Sequence, residues 1–262
     1  MKKLLLLSAL FIFACSSDDG SNTNDNNDNS STNGLLVDTV QLSYLVMSNQ
    51  ELTQEEGTYS YNYDGNKLVS INSIINGETK TNNFTYNDNN QFSAVYNSSG
   101  DYIEYEYDEL GRLTVSTYTD VDDYPPGNPS VSVSNFVYNQ DGTVRTRYRN
   151  GNTEPTEIST FDQNENLIST IFIDGSNNNE TRSYTYDNAN SPFKNMTGHH
   201  FEGSYYYGFP ALFSGGNNAL TVENENNRYF YTYNDDNYPI SVNSPNGIYR
   251  YSNIQATITY TN

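Results

Sequence analysis

The chain has one cysteine, no tryptophan, two histidines, and only 12 lysines and arginines against 32 aspartates and glutamates. One thiol cannot make an intramolecular disulfide, so the folded part must hold together by packing alone. The two histidines, His199 and His200, are adjacent. On a strand they point to opposite faces and cannot chelate one ion together, which leaves a zinc site unsupported. The formal charge of −20 repels nucleic acid and anionic headgroups, which argues against DNA, RNA or peripheral membrane binding. Gly-x-Ser-x-Gly and phosphate-cradling glycine loops are both missing, so neither a nucleophile elbow nor a nucleotide site is indicated. No segment sustains a helical stripe, and helix is expected to be almost absent.

The N-terminus reads MKKLLLLSALFIFA, two lysines followed by an apolar run too short to span a bilayer permanently. Residues 1–14 are therefore expected to be a signal peptide. Cys15 follows a small residue at the end of that run, and this arrangement resembles a bacterial lipobox. It implies that the chain is cut before Cys15 and that the sulfur is lipidated. Acyl chains bury about 0.8 kcal/mol per methylene, which makes a multiply acylated cysteine a firm anchor. Ser16, Ser17, Asp18 and Asp19 come next and resemble the lipoprotein export signal of Bacteroidetes, which implies an outer-membrane location facing the cell exterior. Residues 20–34 carry no apolar side chain and read as a flexible tether, so 15–34 is expected to be a lipidated, unfolded linker. Without residues 1–14 the chain carries ten basic against 32 acidic residues, a charge of −22.

From residue 35 to 262 one phrase recurs. It opens on Tyr63, Tyr86, Tyr107, Tyr138, Phe161, Tyr186 and Tyr233, at separations of 23, 21, 31, 23, 25 and 47 residues, the last about two periods. Before each anchor the sequence alternates: Ile103, Tyr105 and Tyr107 share a face, as do Tyr59, Tyr61 and Tyr63, and Tyr229, Tyr231 and Tyr233. Behind the anchor stand Asp or Asn and then Gly or Asn, the chemistry of a tight turn. A second strand opens on Leu68, Leu113 or Leu167. Each unit is thus strand, tight turn, strand. The expected fold is all-β, an antiparallel meander of repeated hairpins with roughly 14 to 16 strands, which must coil or roll into a barrel-like sheet. Leu, Ile, Val and Phe are scarce and 25 tyrosines take much of their place. A tyrosine buries its ring and is expected to keep its hydroxyl near water.

Two stretches break the rhythm. Residues 120–130 bring in Pro125, Pro126 and Pro129, which cannot sit in a central strand and mark a protruding loop. Residues 191–220 hold His199, His200, Tyr205, Tyr206 and Tyr207; they read first as a plug over one end of the sheet and second as a ligand-contacting loop. The Asp- and Asn-rich turns offer hard oxygen ligands to calcium, although these residues belong in turns anyway and none fits an EF-hand.

The phrase YEYDELGRL at 105–113 resembles the YD repeat of the Rhs family, whose repeats are β-hairpins wound into shells. The degenerate YxYDxxG units, Pro192–Phe193 and the closing YTYNDDNYPISV resemble uncharacterised Bacteroidetes lipoproteins with a porin-like domain. That likeness implies a rolled sheet at the cell surface and supplies no catalytic residues. The functional expectation is a non-enzymatic surface lipoprotein that acts as a binding or structural module without a cofactor, with glycan or extracellular polymer as the leading candidate ligand. The alternatives are a scaffold or adhesin contacting proteins, and a glycoside hydrolase using two carboxylates.

Overall fold

The computed structural model describes residues 34–48, 51–121, 128–175, 179–198, 216–222, 227–245 and 251–261. Among them there is no helix, and no helix is long and apolar enough to cross a membrane. Seventeen strand segments follow one another: β1 Leu36–Ser48, β2 Glu51–Asp64, β3 Lys67–Ile75, β4 Glu78–Tyr86, β5 Phe92–Asn97, β6 Tyr102–Tyr107, β7 Leu113–Asp120, β8 Ser130–Tyr138 and β9 Val144–Arg149. They continue as β10 Glu157–Phe161, β11 Leu167–Phe172, β12 Glu180–Tyr186, β13 Ala219–Val222, β14 Asn227–Arg228, β15 Phe230–Tyr233, β16 Pro239–Ser244 and β17 Tyr251–Thr261. Neighbours in sequence are antiparallel neighbours in space, and β17 returns to pair with β1. Strands β14 and β15 are halves of one strand interrupted at Tyr229. The first half pairs with β13, and the Tyr229 amide donates to the Leu220 carbonyl at 2.9 Å; the second half pairs with β16. Counted so, sixteen strands run around a nearly closed ring, which leaves little of the edge that an open sheet of this size would expose.

The repeat repeats in three dimensions. In six of the seven units the ladder slips by one residue just before the anchor, as between Glu106 and Tyr107 or Thr85 and Tyr86. Such a bulge re-aims the side chain that follows it. The acid or amide after the anchor then holds the turn. Asp108 Oδ1 accepts the amides of Leu110 (3.0 Å) and Arg112 (2.8 Å); Asn87, Asp162 and Asn234 do the same for the amides two and four residues on. The Arg112 amide, helped by the Arg112 side chain, keeps the Asp108 carboxyl below its usual pKa. Gly111 supplies the left-handed residue of this turn at φ 78°, where Asn90, Glu165 and Asn237 stand in other units.

Since anchors end β2, β4, β6, β8, β10, β12 and β15, all these turns lie at one end of the ring, where β1 also begins. Residues 191–198 cross that end. Phe193 and Met196 are buried, and the Phe193 ring lies 5.7 Å from that of Tyr61. The Thr197 amide donates to the Asn66 carbonyl at 2.8 Å, and Asn195 Nδ2 donates to the Leu35 carbonyl at 2.9 Å and to the Tyr238 hydroxyl at 2.8 Å. Within the 191–220 insertion, residues 191–198 are thus a cap over the turn end, while Ala219 and Leu220 already belong to β13. Gly198, at φ 78°, closes it: a Cβ there would stand 3.0 Å from the Asn90 carbonyl oxygen and from the Tyr86 ring.

Candidate functional site

The tyrosine stripes point into the ring. Tyr61, Tyr105 and Tyr229 are buried, and Tyr59, Tyr63, Tyr86, Tyr107, Tyr138, Tyr184, Tyr186 and Tyr231 pack against the same core as Phe84, Phe92, Leu68 and Ile71. Their hydroxyls do not seek water as expected. Tyr86 donates to the Leu68 carbonyl (3.1 Å), Tyr107 to Phe92 (2.8 Å), Tyr138 to Leu113 (3.0 Å), Tyr186 to Leu167 (2.9 Å), Tyr231 to Ala219 (2.7 Å) and Tyr260 to Pro239 (2.7 Å). Each acceptor opens the second strand of the preceding unit. The hydroxyl therefore ties one repeat to the next, and a phenylalanine would fill the space without making the tie. A carbonyl that loses its donor in a buried setting costs about 1 kcal/mol. Tyr107→Phe and Tyr186→Phe should each lower the unfolding free energy by that much, shifting the denaturant midpoint without changing the slope, and the pair, far apart on the ring, should add; chemical denaturation of the three variants measures it.

The fourth unit departs from the pattern. Its turn is a residue longer, no bulge precedes Tyr138, and Arg145 takes the place of Leu68 or Leu113 opposite the anchor. The next anchor is Phe161, with no hydroxyl to donate. The Arg145 guanidinium lies over the rings of Phe136 (4.9 Å) and Phe161 (5.3 Å), and Arg147 stands 5.6 Å from the Phe136 ring. Glu157 faces both, 3.6 Å from each guanidinium, and accepts from Ser159 at 2.9 Å. Arg145 is 4% exposed and Glu157 9%. This cluster is packed between strands and behaves as a structural ion network.

The outer face is of a different character. Hydroxyls and amides meet in cross-strand pairs: Thr39 with Thr259 (2.6 Å), Thr85 with Ser93 (2.8 Å), Thr185 with Thr221 (2.6 Å), Thr232 with Ser241 (2.6 Å) and Asn62 with Ser70 (3.1 Å). Exposed apolar side chains such as Val69, Val137, Ile168 and Phe230 stand singly among them. A barrel that spans a membrane shows lipid an apolar band and keeps polar groups inside. Here the apolar side is the inside.

On this outer face, across β16, β17, β1, β2 and β3, the sheet forms a concave trough of about 1120 Å³. Its floor is laid by outward positions in register: Gln41 opposite Thr58 and Thr257, Ser43 opposite Glu56 and Gln255, and Asn243 opposite Gln255. Gln54 Nε2 donates to Ser43 Oγ (3.2 Å) and to Glu56 Oε1 (3.1 Å), and the Asn76–Gly77 turn forms a wall. Both residues of that turn have positive φ, the geometry of a two-residue hairpin. The trough lies in the half of the ring away from the turn end. It went unread in the sequence because Gln, Ser and Thr on the solvent side of a strand look like ordinary surface. The one available signal was the length of the polar-out alternation in VQLSYL and NIQATITYT.

Cys15, Ser16, Ser17, Asp18, Asp19, His199, His200, Tyr205, Tyr206, Tyr207, Pro125 and Pro126 lie outside the described residues; Pro129 is exposed. Among the described residues no three His, Cys, Asp or Glu side chains gather where they could hold a metal ion. The acidic YNDDN turn at 233–237 spends Asn234 on backbone amides, and the Tyr233 hydroxyl donates to Asp187.

The hairpin from the end of β4 through β7 decides the kind of repeat. Residues 86–121 match the RHS Repeat family model. This hairpin is similar to an RHS repeat. All the other units except the one at Tyr138 copy its register slip, so the antiparallel meander of repeated hairpins expected from the sequence stands. Solved structures that resemble the chain include a porin-like protein from Bacteroides uniformis, 15% identical, covering 86% of this chain and 98% of that one, at a TM-score of 0.46. The TcdB2-TccC3-TEV structure is 11% identical over 76% of this chain, at a TM-score of 0.28. The Photorhabdus luminescens Tc holotoxin pore is 15% identical over 78%, at 0.22. The chain spans about an eighth of those two toxin chains, 12% and 13%. No curated protein matches it.

Proposed function

We propose that the protein is a lipid-anchored, non-enzymatic binding module that stands in water at the outer surface of the outer membrane and holds an extracellular glycan polymer. The observation that carries this reading is the polarity of the ring: tyrosines and phenylalanines inside, paired hydroxyls and a polar trough outside. A face of this kind offers lipid nothing, so attachment falls to the lipidated Cys15. The described chain enters the ring at the capped end, at Leu36, and the trough lies in the other half. A tether on Cys15 would hold the capped end toward the membrane and the trough away from it.

The hydrolase alternative has less support. Glycoside hydrolysis uses two carboxyl groups roughly 5 to 9.5 Å apart. The trough is lined by one, Glu56. The adhesin alternative by strand addition needs a long exposed edge, and the first and last strands, β1 and β17, spend theirs on each other. Metabolic labelling with a fatty acid, followed by mass spectrometry, tests the anchor: Cys15→Ala should abolish the label. Protease shaving of whole cells tests the address. Replacing Asp18 and Asp19 with lysine should make the protein inaccessible, and undiminished cleavage of that variant would refute export through this signal.

A further inference from the structure

We infer that the trough over β16, β17, β1, β2 and β3 is a site for an uncharged polysaccharide, bound by hydrogen bonds alone and lying across the strands. The inference rests on the binding-module reading above and names its site and ligand class. Elsewhere on the outer face the hydroxyls and amides satisfy one another in cross-strand pairs. In the trough only some do, Gln54 with Ser43 and Glu56 and Ser241 with Thr232; among the described residues, the side chains of Gln41, Thr58, Asn243, Gln255 and Thr257 make no hydrogen bond within the protein. Each amide is both donor and acceptor, and each hydroxyl likewise. Converging groups of both kinds match sugar hydroxyls, which also donate and accept.

Charge narrows the class. The trough holds no cation, holds the carboxylate of Glu56, and belongs to a chain of net charge −20. A uronic-acid or sulfated polymer would meet repulsion and no guanidinium or ammonium partner. Size narrows it further. Five strands are four inter-strand spacings, roughly 19 Å. A volume of about 1120 Å³ exceeds what a drug-sized molecule fills, so the trough suits several linked sugars rather than one. No aromatic ring lines it, so stacking contributes nothing, and binding should depend on the number of hydrogen bonds.

The test uses the full-length protein in detergent against a panel of soluble neutral polysaccharides (glucans, mannans, xylans) and uronic-acid polymers, by affinity electrophoresis and calorimetry, with calcium and with a chelator. At least one neutral polymer should bind, with or without calcium. The double variant Gln41→Ala/Gln255→Ala should lose about tenfold in affinity, since two hydrogen bonds are removed, with its thermal midpoint unchanged. A second variant, Gln255→Arg, places bulk and positive charge in the trough; it should weaken neutral binding and not improve stability. Wild-type binding that both variants leave intact would overturn the trough as the site while leaving the binding module standing. Preference for uronic-acid polymers would overturn the ligand class. A folded wild-type protein that binds no polysaccharide would overturn the binding module itself.

Discussion

Raised above about pH 10, the protein should unfold in one cooperative step, and the tyrosinates of the inward-facing stripes should form in that step and not before it. Tyr61 is buried and Tyr63, Tyr186, Tyr231 and Tyr260 are partly buried against the same core, and loss of solvent first, then the phenols and acids beside them, pushes their pKa values well above the ordinary tyrosine value. In the unfolded chain the same phenols ionise near pH 10. A group whose folded pKa is raised stabilises fully below its unfolded pKa, and that stabilisation is lost as pH climbs from there toward the folded value. Each such phenol costs about 1.4 kcal/mol for every pH unit in that window. Five together cost roughly 7 kcal/mol per unit, against a typical total stability of about 5 to 15 kcal/mol. The net charge of −20 pushes the same way, since each new phenolate adds to the self-repulsion. The check is a pH titration followed at once by tyrosinate absorbance and by far-ultraviolet circular dichroism. Coincident, steep transitions are expected. A shallow tyrosinate curve centred near pH 10 with the β signal intact would mean that the stripes face solvent and would contradict the inward packing of the ring.

That inward packing was legible in the sequence only in part. The period near 23 residues and the alternation of Tyr59, Tyr61 and Tyr63 or of Ile103, Tyr105 and Tyr107 are local facts, and they mark strands, turns and the face that each tyrosine occupies. The turn chemistry is also local: Asp108 and its counterparts bond amides only two and four residues away. Closure of the ring is not local. It depends on pairing Val40 with Ile258 and Leu42 with Ala256, across nearly the whole described chain, and on the handover at Tyr229. The destination of the hydroxyls was misjudged for the same reason. Tyr138 donates to Leu113, 25 residues away, and nothing in the tyrosine's own strand says that a carbonyl of the previous unit will be within reach. The trough is the extreme case. Gln41, Thr58, Asn243 and Gln255 come from four strands, and the curvature that makes a concavity of their outer face is a property of the closed sheet.

The fourth repeat shows how the repeat's rule can be broken and restored. Glu157→Ala should destabilise the protein by about 3 to 5 kcal/mol, because it leaves the guanidiniums of Arg145 and Arg147 in a buried place without the carboxylate that faces them. For a domain of this size that is a fall of roughly 10 °C in thermal midpoint. Rewriting the unit toward its siblings should behave differently. Arg145→Leu restores the residue found opposite the anchors at Leu68, Leu113 and Leu167, and Phe161→Tyr restores a hydroxyl where Tyr138 and Tyr186 carry one. Removing the cation and adding the inter-repeat tie in one double variant should leave stability unchanged or higher, since replacing a buried charge by well-packed apolar groups is often neutral or favourable. Adding Glu157→Ala to that double variant should then cost much less than it does in the wild type, the carboxylate having lost one of its two partners. Denaturant unfolding of the four proteins gives the coupling directly. Equal losses for the carboxylate in both backgrounds would show that Glu157 acts through Arg147 alone, and that the Arg145 and Phe161 exchange is independent of the ion network.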